Sequence, residues 1–454
     1  MRRLFGTDGM RGEAGRFPLD QATLRTLGAS LTAHLREKIE GREPVILTGR
    51  DTRESGDWLE HALIEGATAA GALCKSAGVI TTPGVAFLAR TLPADAGVVI
   101  SASHNPFQDN GVKIFSPSGK KLEDATERLI EEDIFAVASG AQAQVSPPIV
   151  DYESDATLLR DRYLDFLAQE IGHGLSLNQL AMVIDCANGA ASQLAPQLFT
   201  RLGARVIAIN DKPDGRNINL ECGSLHTEAL RQRVIAERAD FGVAFDGDAD
   251  RALFIDATGR FVDGDGAMWV LANYLHGCGE LQHDIVVGTV MSNVGLEIAL
   301  RKRGLQLDRT DVGDKYVLDE LLRTGASLGG EQSGHLIFPR LSLAGDGMIT
   351  TLSLLRAMRE GDKSLDQLIE GFERYPQVLI NVRVREKKTF NEIETVRTLA
   401  REIETKLGAD GRLLLRYSGT ESLARVMIEG QSQTEIEEYA HSLAKVIELA
   451  IGAG

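Results

Sequence analysis

Short runs rich in Val, Ile and Leu recur along this chain, each closed by a polar, glycine-bearing loop and followed by a longer stretch with apolar residues at helical spacing. Few architectures satisfy that alternation, because β-branched runs of four to seven residues suit buried strands and a 3.6-residue apolar period suits helices that cover them. Buried parallel strands are predicted at 45–48 (VILT), 97–101 (GVVIS), 182–185 (MVID), 206–209 (VIAI), 241–245 (FGVAF) and 284–290 (DIVVGTV). Helices are predicted from Asp57 to Leu73 and from Ser192 to Leu202. In sheets of this kind the loops at strand carboxyl ends are where ligands bind.

Length alone suggests about three domains at roughly 150 residues each. The pattern argues for four. GAQAQVSPP at 140–148 has linker composition, LFIDATGRFVDG reads as a hairpin with a polar turn, and Tyr375-Pro376 marks a change to strand, helix, strand, strand, helix. The expected fold is therefore α/β: three similar mixed α/β domains (1–148, 149–257 and 258–372) and a smaller C-terminal α+β domain (373–454) around a central cleft. The first three each look like a strand-helix-strand unit, as a diverged triplication would.

Forty-nine Lys and Arg against 65 Asp and Glu leave a formal net charge of −16. That balance excludes broad nucleic-acid binding, which needs a basic footprint, and points to small-molecule partners. Cys74, Cys186, Cys222 and Cys278 are scattered without a C-x-x-C pair, which argues against a zinc ribbon or a disulfide framework and for free thiols. The N-terminal MRRLFGTDGMRGE lacks an apolar signal segment, and no apolar run reaches the ~18 residues of a membrane helix. A cytoplasmic enzyme without membrane partners is expected, as a monomer or homodimer.

Four motifs carry chemistry. Asp246, Asp248 and Asp250 follow the apolar run FGVAF. Three carboxylates so close repel one another unless a hard cation such as Mg²⁺ or Ca²⁺ sits among them. An EF-hand is excluded, since its turn-glycine position is Arg251 and its bidentate-Glu position is Ala257. Ser101-Ala-Ser103-His104-Asn105-Pro106 offers a serine beside a histidine, although a serine needs a base, a metal or prior modification to act as a nucleophile. Glu331 and Ser333, two apart in a Gly-flanked loop, can accept from and donate to vicinal hydroxyls. Ser418, Gly419 and Thr420 form a turn with backbone N–H groups and hydroxyls suited to an anion, with Arg416 and Arg425 able to add charge.

In this order, FGTDGMRG, GRDTR, ISASHNP, DGDADR, GEQSGH and RYSGTES resemble the loops of the α-D-phosphohexomutases, over residues 5 to about 430. The details are nearest the bacterial members that act on glucosamine phosphate. The resemblance implies an isomerase in which Ser103 carries a phosphoryl group and one Mg²⁺ per subunit is held by Asp246, Asp248, Asp250 and the phosphoserine. It implies a phosphosugar substrate whose phosphate meets Arg416, Ser418, Gly419, Thr420 and Arg425 and whose hydroxyls meet Glu331 and Ser333. A hexose 1,6-bisphosphate would serve as intermediate and activator. Arg11, His104, Lys113 and His335 would lie near the transferring phosphoryl group, with Lys315 also within reach of the ligand. Phosphoglucomutase/phosphomannomutase-type members usually carry serine-asparagine-threonine in the phosphate loop and methionine in the sugar loop; Gly419 and Gln332 stand there instead and favour glucosamine phosphate, on the route to amino-sugar nucleotide (UDP-N-acetylglucosamine) and cell wall. A phosphoglucomutase or phosphomannomutase is the alternative within the family, and a Mg²⁺-dependent sugar phosphatase the alternative outside it.

Overall fold

A computed structural model describes residues 3–6, 8–138, 154–418 and 421–453. The linker expected at 140–148, and with it the boundary at 148/149, lies outside the described residues, as do Gly419 and Thr420. The chain divides into two compact units, Met1–Val290 with Asp308–Glu370 and Met291–Leu307 with Gly371–Gly454.

The first unit is built on three mixed sheets that repeat one local arrangement. In the first, Val45–Arg50 runs parallel to both Leu73–Val79 and Ala96–Ile100, and Ala96–Ile100 then pairs antiparallel with Asp109–Phe115. The short strands Phe5–Gly6 and Gly9–Glu13 extend that edge. In the second, Ala181–Asp185 is parallel to Phe241–Phe245, which is antiparallel to Ala252–Asp256. In the third, Ile285–Thr289 is parallel to Leu328–Gly330, which is antiparallel to Leu336–Ile337. Each sheet thus turns from parallel to antiparallel at one strand, and a hairpin loop projects from that junction.

The apolar runs predicted as buried strands are buried at Ala96–Ile100 and Phe241–Phe245, where every residue is covered on both faces. VIAI differs. It lies in Arg205–Ile209, a sheet edge with a neighbour on one side only, and none of its residues is fully buried. The helix expected from Asp57 runs over Gly56–Ala69 and stops short of Leu73, which opens a strand paired with Val45. The predicted hairpin near 258 is present: Phe261–Val262 pairs with Phe254 and Ile255 at the edge of the second sheet. The second sheet therefore extends past the division expected at 257/258.

The second unit is a three-stranded antiparallel sheet, ordered Gln377–Arg383, Leu423–Glu429, Arg412–Tyr417. Helices Glu394–Leu407 and Gln433–Ile451 cover it with Val396, Ile403, Leu443 and Ile447. The buried Glu429 ties helix Val294–Lys302 to this sheet, accepting from Asn293 Nδ2 and Val294 N at 3.2 Å each while Arg412 neutralises it at 2.9 Å.

Candidate active site

All four motifs lie on hairpin connections between antiparallel strands, three of them at the junctions just described. Phe245 and Ala252 face each other across the ladder, so residues 246–251 form a short loop with little freedom. One carboxylate oxygen from each of Asp246, Asp248 and Asp250 lies within 4.8 Å of the others, and all three residues are buried. Burial and the neighbouring Asp250 and Asp248 push the Asp246 carboxyl well above its usual range. Asp248 Oδ1 and Asp250 Oδ1 are buried without a hydrogen-bond partner among the described residues. Buried charged oxygens left without partners are costly, and an all-oxygen donor set of this size suits Mg²⁺, so the residues present fit a hard cation.

Ser103 sits in the loop joining Ala96–Ile100 to Asp109–Phe115 with φ +53°, a left-handed conformation that a serine adopts only when its surroundings impose it. The constraint is visible. Its N–H donates to Ser101 Oγ at 3.0 Å, and its carbonyl accepts from Arg53 Nη2 and Asn219 Nδ2, both at 2.9 Å. Its hydroxyl donates to Asp246 Oδ2 at 2.5 Å and lies 3.3 Å from His104 Nδ1. Gly247 permits the meeting of the two loops, since a Cβ there would lie 2.5 Å from the Ser103 carbonyl oxygen. The serine and its neighbouring histidine meet because this segment is a turn; on an extended strand they would point apart.

Lys113 reaches the same cluster from strand Asp109–Phe115, with its ammonium 3.0 Å from Asp248, 3.3 Å from Asp250 and 3.3 Å from Asp8. Burial opposes its charge, but these three carboxylates hold its pKa well above the ordinary lysine value. His335 Nδ1 lies 3.6 Å from Asp250. Burial pulls that imidazole down, yet Asp250, Asp314 and Glu331 raise it to about 9. His104 moves the other way, lowered to about 4 by burial and by Arg251 and Arg11. The two imidazoles are thus shifted in opposite directions, a division typical of proton-transferring sites.

A cavity of about 450 Å³ opens beside these groups, lined by Arg11, His104, Asp250, Arg251, Glu331 and His335 among others. Arg11 donates to the carbonyl of Ala102 at 3.4 Å and pairs with Asp8. Glu331 accepts from Gly313 N at 3.0 Å, and Ser333 Oγ lies 3.5 Å from Glu331 Oε2 across the turn. Gly345 lets His335 sit where it does, because a Cβ there would lie 2.3 Å from Nε2. Lys315 instead pairs with Asp124 at 2.5 Å and lines a neighbouring cavity of about 350 Å³.

In the second unit, Arg416 and Arg425 stand directly opposite each other on adjacent strands. Like charges in that register repel, and Glu421 offsets Arg425 at 3.7 Å. Ser418 is buried, its N–H closes the hairpin on Leu423 O at 2.9 Å, and its carbonyl accepts from Lys387 at 2.6 Å.

GRDTR was a candidate loop in the sequence, with Arg50 and Arg53 expected to gather in the cleft, but Arg53 is used otherwise; Asn219 and Thr82 were not singled out. Arg53 and Asp51, in GRDTR, are fully buried as an ion pair at 2.9 Å. Beyond Ser103, Arg53 donates to the carbonyls of Asn105 at 2.8 Å, Asp109 at 3.1 Å, and Pro106. Arg53 therefore clamps the serine loop and leaves no donor for a ligand. Asn219 serves the same loop, Thr82 donates to Asp248 at 2.6 Å, and Arg251 reaches the cavity. The Arg in GRDTR was a visible signal; Asn219 and Thr82 carried none.

Comparison with known proteins identifies the family. The chain matches all four parts of the phosphoglucomutase/phosphomannomutase family: alpha/beta/alpha domain I over residues 2–140, domain II over 161–259, domain III over 263–375 and the C-terminal domain over 379–446. It is 48% identical over 452 residues to the phosphoglucosamine mutase of Solibacter usitatus, covering 99% of both chains. It is 47% identical over 453 residues to that of Mycobacterium ulcerans, covering 100% of both. Among solved structures, a phosphoglucomutase/phosphomannomutase family protein of Burkholderia thailandensis matches with TM-score 0.79 at 23% identity over 98% of this chain and 97% of that one. An Aspergillus fumigatus N-acetylphosphoglucosamine mutase, solved with GlcNAc-6P and magnesium, matches with TM-score 0.63 at 19% identity over 99% and 96%.

Proposed function

The chain belongs to the phosphoglucomutase/phosphomannomutase family of phosphohexomutases, and from that premise we propose that it interconverts glucosamine 6-phosphate and glucosamine 1-phosphate through a phosphorylated Ser103. The observation that carries the reading is the Ser103 hydroxyl seated on Asp246, within a buried carboxylate cluster in which Asp248 Oδ1 and Asp250 Oδ1 accept no hydrogen bond among the described residues. A phosphoryl group on that hydroxyl needs a cation beside it. Asp246, Asp248 and Asp250 would hold Mg²⁺, which supplies charge neutralisation to the transferring phosphoryl group.

The serine loop presents the phosphoryl donor. A sugar hydroxyl attacks phosphorus, the bond to Ser103 Oγ breaks, and the hydroxyl proton passes to a nearby base. From glucosamine 6-phosphate, O1 is the attacking oxygen and the product is glucosamine 1,6-bisphosphate. After the intermediate turns around, Ser103 Oγ attacks its 6-phosphate, takes a phosphoryl group back and releases glucosamine 1-phosphate. Glu331 and Ser333 accept from and donate to sugar hydroxyls, while Arg416 and Arg425, with Ser418, Gly419 and Thr420, receive the phosphate that is not reacting. Arg11 and Lys113 stabilise the charge that develops, and His104 and His335 are the nearest imidazoles able to move the proton. Glucosamine specificity rests on the full-length relatives of that name and on Gln332 and Gly419 in the two recognition loops. The product is a precursor of amino-sugar nucleotide and cell wall. A cytoplasmic setting accords with the four unpaired cysteines, and no helix among the described residues is long and apolar enough to cross a membrane.

The test is direct. The protein is supplied with glucosamine 6-phosphate, Mg²⁺ and a trace of glucose 1,6-bisphosphate, and the products are separated. Glucosamine 1-phosphate is expected, with far lower turnover of glucose and mannose 6-phosphates. Stoichiometric inorganic phosphate in its place would identify a phosphatase, and preference for glucose or mannose phosphate would identify the other family activity. Intact mass should show one phosphate on the protein, absent from Ser103→Ala.

A further inference from the structure

Lys121 belongs to none of the motif loops and lines the neighbouring cavity of about 350 Å³, with Lys113, Asp250 and His335, but not the 450 Å³ one. Its backbone is held by the first sheet, through a bridge between Phe115 and Lys121 and a 2.8 Å hydrogen bond from Leu122 N to Ile114 O. Its ammonium is shared between two carboxylates, 2.7 Å from Asp8 Oδ1 and 2.6 Å from Asp314 Oδ2. Each carboxylate leads into a different half of the site. The second oxygen of Asp8 holds Arg11 and Lys113, and Arg11 donates to the carbonyl of Ala102, the residue before Ser103. Asp314 opens helix Asp314–Thr324 directly after Gly313, whose N–H donates to Glu331, and Asp314 Oδ2 lies 4.0 Å from His335 Nε2.

We propose that Lys121 is a positioning residue that sets the register between the phosphoryl-donating loop and the sugar-binding loop by bridging Asp8 and Asp314. Without the ammonium the two carboxylates face each other and repel, and Asp8 turns wholly onto Arg11 and Lys113, drawing the guanidinium off the serine loop. The Lys315–Asp124 pair, at 2.5 Å, still ties helix Asp314–Thr324 to the stretch that follows Lys121 when Lys121 is neutral, but it does not reach Asp8. The effect falls on alignment, and alignment acts on the chemical step more than on substrate affinity.

This inference rests on the mutase reading, and its test keeps the two apart. Turnover of glucosamine 6-phosphate is measured for the wild type, Lys121→Met, Lys121→Arg, Asp314→Asn and the double variant Lys121→Met/Asp314→Asn. Lys121→Met is expected to lower kcat about 100-fold, as misalignment near 1 Å does, with KM changed less than about threefold. Lys121→Arg, which keeps the charge, should recover most of the loss. Asp314→Asn breaks the bridge from its other end and should lower kcat similarly, with the double variant little worse than either single one. A Lys121→Met kcat within about twofold of wild type, no recovery with arginine, or additive losses in the double variant would each overturn the proposal. If Lys121→Met does not fold, the Lys121→Arg and Asp314→Asn arms decide it. Failure of the wild type to form glucosamine 1-phosphate would count against the function itself.

Discussion

Replacing Arg53 with alanine tests whether the serine loop is held as its geometry indicates. The guanidinium is wholly buried, paired with Asp51 at 2.9 Å, and serves four carbonyls between Ser103 and Asp109. Removing one partner of such a pair costs about 3–5 kcal/mol, because the other charge stays buried without compensation. Burial already pushes the Asp51 carboxyl up against the pull of Arg53, so in the variant it can relieve its charge by taking up a proton. The loss should therefore sit near the lower figure in mild acid and grow as pH rises. In thermal unfolding this is a Tm lowered by roughly 5–10 °C. The carbonyls of Ser103 and Asn105 keep Asn219 as a donor, so the loop drifts without unravelling, and kcat should fall by about 100-fold. Arg53→Lys should recover part of the stability and little of the activity, because one ammonium cannot fork to four carbonyls. Asp51→Asn/Arg53→Met, which removes both charges, should be less destabilised than Arg53→Ala. The reasoning fails if Arg53→Ala loses less than about 1 kcal/mol, or if the double variant is the less stable of the two.

Asp248→Ala should abolish turnover together with the rise in Tm that Mg²⁺ gives the wild type; full wild-type activity in metal-free buffer would contradict the assignment. Arg416→Ala removes a charge-assisted contact of about 1.5–3 kcal/mol and should raise KM for the phosphosugar about 10- to 100-fold, and an unchanged KM would remove the phosphate loop from the site. Burial, with the neighbouring Asp124 carboxylate, raises Glu127 to about 7. The folded protein therefore binds this proton more tightly than the unfolded chain, and stability is lost as pH climbs from the ordinary value of 4.5 through 7. Glu127→Gln should match wild type near pH 4 and exceed its Tm at pH 8, and equal Tm values at pH 8 would show that this carboxyl does not carry the effect.

The four motif loops were legible because each follows a strong local signal. FGVAF ahead of three aspartates, GVVIS ahead of Ser103, and a serine-glycine turn between two apolar strands can each be read within about ten residues. The edge strand Arg205–Ile209 was misread as buried because its apolar run resembles a central strand; only the sheet order shows that one side has no neighbour. Arg53 was legible as a charged residue near a loop, but its place in the sequence gave no sign that it is spent on carbonyls 50 or more residues away.

What the sequence determined by itself was therefore the α/β alternation, the hairpin loops, and the residue types each loop offers, since strand burial, helical period and turn chemistry act over a few residues. What only the tertiary structure decided was which of those residues meet. Ser103 lies on Asp246, Lys113 enters the carboxylate cluster, and Lys121 joins Asp8 to Asp314, contacts spanning up to 193 positions. Net charge illustrates the difference: −16 is the sum over the whole chain, whereas locally Arg11, Lys113 and Lys121 stand among Asp8 and the three aspartates and offset most of their charge. Coulomb energies at buried sites depend on separation through space, and separation along the chain does not fix it.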